Sequence, residues 1–255
     1  MKGSQAFLAC AALVVGILSL PRPAQGQDRA WDFSLSAFAG GALPLSTDVT
    51  RRGSALGNPI TSTTGSPLGV PFSFTGKDLA LKSSVSVGGK LTGWWMGLRQ
   101  GSHLDCGAEL DLTQSFPSIK GQTASAAGRI NGLPVSGLSV PFPGVDISST
   151  ILALNVLLRW PLGVRPDLPN GRWYPYLGGG GGLDIGHANS LGLPQTDTGP
   201  AWQALGGVSF FLARNLAAFA EYKFTQATHT FRFSWEYEKE TASLNHFVAG
   251  LSWHF

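Results

Sequence analysis

Apolar and polar residues alternate with a period of two along eight segments of the chain. Such alternation is typical of β-strands that have one apolar and one polar face. In the third segment, for example, Leu110 lies between Glu109 and Asp111. The predicted strands are Trp31–Leu43, Leu79–Leu91, Leu104–Gln114, Ser148–Trp160, Trp173–Ile185, Ala201–Leu212, a strand that begins at Leu216, and Leu244–Phe255. The pattern predicts an all-β fold, either a water-soluble sandwich or a membrane barrel.

The connections between these strands alternate between long and short, which favours the barrel. Long connections span residues 44–78, 115–147 and 186–200, and the connection after the seventh strand is also long. The other connections are shorter, and the sixth and seventh strands are joined only by Ala213-Arg214-Asn215. Outer-membrane barrels have long external loops and short periplasmic turns. An even number of strands places both termini on the turn side.

Aromatic residues from every region of the chain map to the turn-side ends of the strands. Apart from Trp202 and Trp235, all tryptophans fall there. Amphipathic rings gather at a membrane interface and form girdles around a barrel. The predicted periplasmic girdle consists of Trp31, Trp94, Trp95, Trp160, Trp173, Tyr174, Phe210 and Trp253, with Phe255 beside it.

The polar faces of the strands carry charged side chains and one amide that a barrel would turn toward its lumen. These are Lys82, Lys90, Glu109, Asp111, Arg159, Gln203, Glu221 and Lys223. The interior of an eight-stranded barrel is just wide enough for side chains to fill, and buried charges must be paired and hydrogen-bonded. We therefore expect a salt-bridge network that plugs the lumen; the alternative is a polar conduction path.

The N-terminal segment has the pattern of a secretory signal peptide. A basic start at Lys2 precedes an apolar run over residues 6–20, which is shorter than the roughly 20 residues that a membrane span needs. Pro21 and the small-residue motif Ala24-Gln25-Gly26 follow this run. We therefore predict cleavage before Gln27, with a signal peptide over residues 1–26 and one barrel domain over residues 27–255.

Charge and composition restrict the classes of partner. Cleavage would remove Lys2 and Arg22 and leave 16 basic against 15 acidic residues, a net charge of +1, so no nucleic-acid partner is expected. Charged residues make up only 13% of the chain, against about 25% in soluble domains. Beyond the signal peptide no apolar stretch reaches the roughly 20 residues of a spanning helix. A closed barrel is the other structure that satisfies the backbone in lipid.

Segments of the C-terminal third resemble a known family. They are Tyr174-Pro175-Tyr176-Leu177 followed by Gly178–Gly182, then Phe219-Ala220-Glu221-Tyr222-Lys223, and Val248-Ala249-Gly250-Leu251-Ser252-Trp253-His254-Phe255. They resemble the outer-membrane β-barrel family, which includes the membrane domain of outer-membrane protein A and the opacity-type porin-like proteins. The resemblance covers all eight strands in outline and is specific mainly from Tyr174 onward. It implies an eight-stranded antiparallel up-and-down transmembrane β-barrel in the outer membrane.

The same resemblance implies a partner during biogenesis. A terminal phenylalanine preceded by apolar residues at alternate positions is similar to the signal read by the barrel-assembly machinery. Phe247, Leu251, Trp253 and Phe255 match that signal, as does Ala249. We expect the assembly machinery and outer-membrane lipid as partners, and a monomeric barrel.

Motifs that carry catalysis or bind cofactors are not found. Gly178–Gly182 lies inside a predicted strand, whereas a dinucleotide site needs its glycines at the start of a helix. His246 and His254 lie on one strand, about 26 Å apart at 3.3 Å per residue, and cannot share a site. His229 has no nearby His-x-Ser signature, and no metal-ligand spacing is visible. We expect a protein that is not an enzyme and has no cofactor.

The sequence therefore predicts an integral outer-membrane protein with a structural or surface-interaction role carried by its external loops. A narrow porin-like channel for small or hydrophobic solutes is the alternative, followed by a lipid-modifying enzyme. The external ligand remains open. Ten strands are also compatible with the pattern if the first two loops form hairpins, with Ser73-Phe74 and Val135–Val140 as the ambiguous segments.

Overall fold

The computed structural model describes residues 30–45, 47–55, 70–99, 103–142, 145–190, 193–232 and 236–255. The predicted signal peptide lies outside these ranges. The described residues form one 14-stranded sheet. Its strands are β1 Trp31–Pro44, β2 Thr47–Ala55, β3 Val70–Leu79, β4 Leu81–Lys82, β5 Ser84–Trp95, β6 Asp105–Ser115, β7 Ser118–Ile119, β8 Gln122–Ile130, β9 Leu133–Phe142, β10 Val145–Arg159, β11 Trp173–Ser190, β12 Leu193–Ala213, β13 Leu216–Arg232 and β14 Glu236–His254. No helix among these residues has the length and hydropathy needed to span a membrane.

Eight of the strands close into a barrel. The ring runs β1-β5-β6-β10-β11-β12-β13-β14, and β14 pairs back onto β1 with Phe38 opposite Gly250. Every pairing in the ring is antiparallel, and each ring strand pairs with the ring strand that follows it along the chain. Closure leaves no unpaired edge in the ring, as lipid requires. The predicted eight-stranded antiparallel barrel is confirmed.

The two long early connections form strands that extend the same sheet outside this ring. β2 pairs with the outer part of β14, and β3, β8 and β9 follow in order. The hairpins that would have made ten strands therefore exist, but they extend the sheet above the barrel and do not enter its circumference. The short strands β4 and β7 pair with each other, and β7 also pairs with β10.

The bounds of several predicted strands differ from those in the structure. The second strand was predicted from Leu79 to Leu91, but the barrel strand is β5, Ser84–Trp95, and Leu79 ends β3. Alternation continues across this junction in the sequence, so it does not reveal where the chain leaves the outer sheet and enters the barrel. The fifth, sixth and eighth strands are longer than predicted, because β11 to β14 continue beyond the membrane as paired strands. The seventh begins at Leu216 as predicted.

The direction of the alternation distinguishes a membrane barrel from a soluble sandwich. On β10, Val156 is 69% exposed whereas its neighbour Asn155 is fully buried. The other strands of the ring follow the same rule, with outward apolar side chains that include Leu91, Leu110, Leu112, Leu154, Leu177, Leu183, Val208 and Leu251. Such a continuous apolar exterior needs lipid as its solvent. The chain is a transmembrane β-barrel of the outer-membrane type.

Aromatic side chains border this apolar surface at both ends. Trp31, Trp95, Trp160, Trp173, Phe210 and Trp253 are exposed at the turn side. At the other end the tilted rings of Trp202 and Phe224 contact each other, as do those of Tyr222 and Phe247, with centroids 5.2 Å apart in each pair. On β12, Trp202 and Phe210 lie about 26 Å apart along the strand at 3.3 Å per residue, comparable with the ~25 Å apolar band of such barrels.

Two residues of the predicted girdle face inward instead. Trp94 is 3% exposed and Tyr174 is 4% exposed, and both pack inside the barrel. Trp94 directly precedes Trp95, and Tyr174 directly follows Trp173. Adjacent residues of a strand point to opposite faces. Because Trp95 and Trp173 face the lipid, Trp94 and Tyr174 must face the lumen. Of the predicted assembly signal, Phe247, Leu251 and Trp253 face outward and Phe255 is half-buried; recognition by the assembly machinery stays a prediction.

Candidate functional site

The barrel lumen holds all but one of the polar side chains that were predicted to face it. Lys90, Glu109, Asp111, Arg159, Gln203, Glu221 and Lys223 are all buried there. Lys82 is the exception, because its side chain is exposed. It belongs to β4, which lies outside the ring and pairs with β7, so the inward and outward alternation of the barrel does not apply to it. The lumen groups form three levels along the barrel axis.

The central level is a set of crossed ion pairs. Lys90 Nζ lies 2.5 Å from Glu221 Oε2 and 3.4 Å from Glu109 Oε1. Lys223 pairs with Asp111, and its Nζ lies 3.8 Å from Glu221 Oε1. Charges on β5, β6 and β13 therefore meet across the lumen. Attraction of this kind offsets the cost of removing several charges from water only where further hydrogen bonds are present.

Neutral side chains supply those further hydrogen bonds. Thr92 Oγ1 and Asn155 Nδ2 donate to the two oxygens of Glu109 at 3.1 and 3.0 Å. Tyr176 donates its hydroxyl proton to Glu221 at 2.9 Å. Gln203 Nε2 donates to Asn155 Oδ1 at 2.9 Å and joins β12 to the same set. The central level is thus tied to six of the eight strands of the ring, namely β5, β6, β10, β11, β12 and β13.

The periplasmic level is organised by Arg159. Its guanidinium donates to Asp32 at 2.7 Å and to Asp105 at 2.8 Å. Its Cζ also lies 4.6 Å from the ring centroid of Trp94 and 5.0 Å from that of Tyr174. A planar cation between two aromatic rings and two carboxylates is a well-satisfied buried charge. The inward tryptophan and tyrosine therefore help to close this end of the lumen.

Asp32, Asp105 and His254 were not among the predicted lumen residues, although the sequence places each on a polar strand face. Arg99, in the turn after β5, donates to both carboxylate oxygens of Asp105 at 2.9 and 2.5 Å. His254 Nδ1 lies 3.1 Å from Asp32. Strict alternation from Trp31 on β1, from Glu109 on β6 and from Trp253 on β14 would have found all three.

The extracellular level surrounds His229. Its Nε2 lies 3.1 Å from Asp184 Oδ2 and its Nδ1 lies 3.6 Å from Asp197 Oδ2. Ser149 donates to the two oxygens of Asp184 at 2.9 and 2.8 Å. His229 lies three residues beyond Gln226, which accepts a hydrogen bond from the outer-girdle Trp202 at 2.9 Å. This level is therefore above the membrane-spanning part of the strands.

The environment of His229 favours its charged form. Burial acts to lower the pKa of the imidazole, but the hydrogen bond that His229 donates to Asp184 and the negative charges of Asp184, Glu240 and Asp197 outweigh it. The pKa of His229 is therefore raised above its usual 6.5. A protonated His229 links the carboxylates of β11 and β12 at the outer mouth.

Between these levels the lumen contains two small cavities. One lies between the periplasmic and central levels and is lined in part by Ser34, Ser252 and Phe219; its volume is about 20 Å³. The other lies under the extracellular level, beside Ile151 and Leu244, and also has a volume of about 20 Å³. Each has room for about one water molecule. The side chains therefore fill the interior.

One arrangement has the order of a nucleophile, a base and an acid. His254 lies 3.1 Å from Asp32 through Nδ1 and 3.4 Å from Ser252 Oγ through Nε2. Ser252 is buried, accepts a hydrogen bond from Ser36 at 2.9 Å, and borders only the cavity of about 20 Å³ between the periplasmic and central levels. A substrate needs space beside the nucleophile and the oxyanion donors. At this position the three residues form a structural hydrogen-bond chain.

The remaining chemical expectations concern histidine, glycine and metal. His246 bonds to Thr225 at 2.9 Å and to Ser86 at 3.1 Å, at a different level from His254. Gly178–Gly182 lies within β11, where it was predicted to form strand and not a nucleotide loop. Within the described ranges, no group of three or more His, Cys, Asp or Glu side chains is arranged to hold a metal ion.

Comparison with known proteins gives structural likeness only. No protein-family model matches the sequence, and a search of curated proteins finds no match. The fold is similar to that of Neisserial surface protein A, with 13% identity, a TM-score of 0.42, and coverage of 88% of this chain and 97% of that one. It is also similar to outer membrane protein AlkL in lipid bilayers, with 14% identity, a TM-score of 0.34, and coverage of 93% and 96%.

A third similar structure is Ail, the attachment invasion locus protein of Yersinia pestis, with 11% identity, a TM-score of 0.29, and coverage of 84% and 97%. At these values the barrel assignment rests on the closed strand pairing and the lipid-facing surface described above.

Proposed function

We propose that this chain is a surface protein of the outer membrane, in which the barrel is a closed anchor and the extracellular sheet is the part that interacts with partners. The observation that carries the proposal is the filled lumen. Three levels of buried polar side chains, led by Arg159, Lys90 and His229, lie in series between the two ends. The cavities of about 20 Å³ between them hold no more than about one water each. This arrangement favours an anchor over a narrow channel.

The extracellular sheet supports an interaction role. β11 to β14 continue above the outer aromatic band, and β2, β3, β8 and β9 add a broad surface beside β14. The sheet ends at β9, which pairs only with β8 among the described strands. A free sheet edge is able to pair with an extended segment of another protein. The closed ring below has no such edge, so a partner would bind this sheet while the barrel stays monomeric.

Two measurements on the refolded chain in lipid test the proposal together. Electrophoretic mobility with and without boiling reports whether the barrel is folded, and planar-bilayer recording reports whether the lumen conducts. We expect a heat-dependent mobility shift and no discrete conductance steps. A shift accompanied by discrete steps would contradict the anchor and support the channel that the sequence left open. The absence of any shift would contradict the barrel itself.

A lipid-modifying activity is tested by a separate measurement. Lipid A from a host that expresses the chain is compared by mass spectrometry with lipid A from the same host that expresses the Ser252→Ala variant. We expect identical lipid A in both strains, because Ser252 lies beside a cavity with room for only about one water. A modification that depends on Ser252 would overturn the anchor role.

A further inference from the structure

The periplasmic end of the barrel carries an exposed basic patch that the lumen network does not use. Arg165 and Arg172 stand on the turn between β10 and β11, and Arg214 stands on the turn between β12 and β13. All three side chains are exposed. Asp167 is the only acidic residue of these two turns, which the structure describes in full. We call Arg165, Arg172 and Arg214 the arginine rim.

The two turns lie side by side. β11 and β12 are neighbours in the ring, and Phe211 donates its backbone N–H to the carbonyl of Arg172 at 2.9 Å. Arg214 follows only three residues after Phe211. In the other turn, Arg165 and Leu168 exchange backbone hydrogen bonds at 3.2 and 3.0 Å. Arg172 and Arg214 therefore lie on neighbouring turns, and Arg165 lies on the hydrogen-bonded backbone of the first of these turns.

Two arginines of the rim, Arg172 and Arg214, lie at the depth of lipid headgroups, and Arg165 belongs to the same turn as Arg172. The guanidinium Cζ of Arg172 is 4.8 Å from the ring centroid of Phe210, which faces the lipid. Arg172 directly precedes the girdle residue Trp173, and Arg214 comes two residues after the lipid-facing Leu212. Aromatic girdles mark the level of the headgroups, and long basic side chains extend from there toward the interface.

These three cations differ from the other arginines at the same end of the barrel. Arg159 and Arg99 are neutralised by Asp32 and Asp105. The arginines of the rim form no ion pair with any acidic side chain in the part of the chain that the structure describes. A planar guanidinium with free donors matches the oxygens of a phosphate group. The rim thus presents an excess of positive charge to the adjoining leaflet.

We propose that the arginine rim binds the phosphate group of anionic phospholipids in the periplasmic leaflet of the outer membrane. The proposal is independent of the surface role, because it concerns the opposite end of the barrel. Basic residues near a membrane surface each strengthen binding to anionic lipid by about 1 kcal/mol, or roughly five-fold. The three together are expected to give a clear preference for phosphatidylglycerol over phosphatidylcholine.

The test is native mass spectrometry of the refolded chain in a zwitterionic detergent, titrated with phosphatidylglycerol or with phosphatidylcholine. We expect the triple variant Arg165→Gln/Arg172→Gln/Arg214→Gln to bind phosphatidylglycerol at least about ten-fold more weakly. The control variant Arg129→Gln changes an exposed arginine on the extracellular β8–β9 hairpin and is expected to bind like the parent. The heat-dependent mobility shift confirms that each variant is folded.

A charge-retaining variant and a competitor complete the test. The triple Arg→Lys variant is expected to keep most of the preference for phosphatidylglycerol over phosphatidylcholine. This variant tests the proposal even if the glutamine variant does not fold. Inorganic phosphate is expected not to displace the lipid. The proposal is overturned if the parent shows no preference for phosphatidylglycerol, if Arg129→Gln weakens binding as much as the triple variant does, if the lysine variant loses the preference, or if inorganic phosphate competes.

Discussion

Lys90 on β5 and Glu221 on β13 are 131 residues apart in sequence and meet across the lumen, with Nζ 2.5 Å from Oε2. Their strands are separated in the ring by β1 and β14. This ion pair therefore joins opposite parts of the wall and blocks the middle of the lumen. Together with Lys223, Glu109 and Asp111 it gives the central level two positive and three negative formal charges.

Replacing Lys90 by Met tests the contribution of this pair. The change leaves Glu221 and Glu109 buried without their nearest cation, so we expect the free energy of unfolding to fall by about 3–5 kcal/mol. Urea unfolding in lipid vesicles measures it. The matched control is Lys120→Met, at an exposed position outside the barrel strands, with an expected change within about 0.5 kcal/mol.

A double variant separates charge balance from packing. Lys90→Met/Glu221→Gln removes one positive and one negative charge and keeps the formal balance of the central level. We expect it to recover part of the stability that Lys90→Met loses. A double variant no more stable than the single one would show that the other contacts of the Lys90 ammonium, whose Nζ lies 5.7 Å from the ring centroids of Phe38 and Phe219, matter more than the charge balance.

The lumen and the lipid-facing surface follow from the sequence because both depend only on alternation. Once Trp95 is placed in the girdle, alternation on β5 places Trp94 inside and Lys90 on the same inner face. Counting both tryptophans in the girdle was wrong because it ignored this rule. Ring closure and register determine which strands meet across the lumen. Alternation along a single strand gives no information on either.

The arrangement of the extracellular strands could not be predicted from alternation. Alternation that begins at Leu79 runs on into β5, although Lys82 lies on β4, outside the ring, and Lys90 lies in the barrel. The β8–β9 hairpin turns at Asn131 and Gly132, both with positive φ, which is the Asn-Gly turn of a two-residue hairpin. The Asn-Gly dipeptide in the sequence indicates a hairpin, but it does not specify whether that hairpin joins the ring.

Glycines inside β11 allow close approach of β10, and a matched pair of substitutions tests this. A Cβ on the inward-facing Gly182 would lie 1.9 Å from the carbonyl oxygen of Leu152, whereas one on Gly181 would lie 3.4 Å from that of Ala201. We expect Gly182→Ala to lower the free energy of unfolding by about 1–3 kcal/mol or more. Gly181→Ala is expected to change it by less than about 1 kcal/mol. Equal effects in urea unfolding would refute the close-approach explanation.

The extracellular level is expected to loosen as pH rises. Because the pKa of His229 is raised by Asp184, Glu240 and Asp197 in the folded protein, its protonated form stabilises the fold. That stabilisation is fully present below the ordinary histidine pKa of about 6.5 and is lost as pH rises through the raised value. The amide of Thr230 donates to Asp197 at 2.8 Å and reports the change through hydrogen exchange.

Two histidine variants provide the comparison. Between about pH 5 and pH 8, corrected for intrinsic exchange rates, protection of the Thr230 amide is expected to fall with pH in the parent. His229→Gln is expected to remove this dependence. His103→Asn changes an exposed histidine in a periplasmic turn, where asparagine tolerates the positive φ of 58°, and is expected to retain it. A pH dependence that survives in His229→Gln would assign the effect to another group.

The anchor and the extracellular sheet are expected to be separable. The ring contains none of β2, β3, β8 or β9, and Ile119 on β7 lies directly opposite Val145 on β10. Replacing residues 120–144 by a two-residue Asn-Gly turn therefore joins two positions that are already paired across a hairpin. We expect the shortened chain to keep its heat-dependent mobility shift and its silence in planar bilayers, because the three lumen levels lie entirely on ring strands. The control is a chain of the parent's full length in which the order of residues 120–144 is scrambled. It separates the effect of losing the β8–β9 pairing from the effect of removing these residues. If the shortened chain conducts, residues 120–144 close the lumen from above, and the side-chain network alone does not.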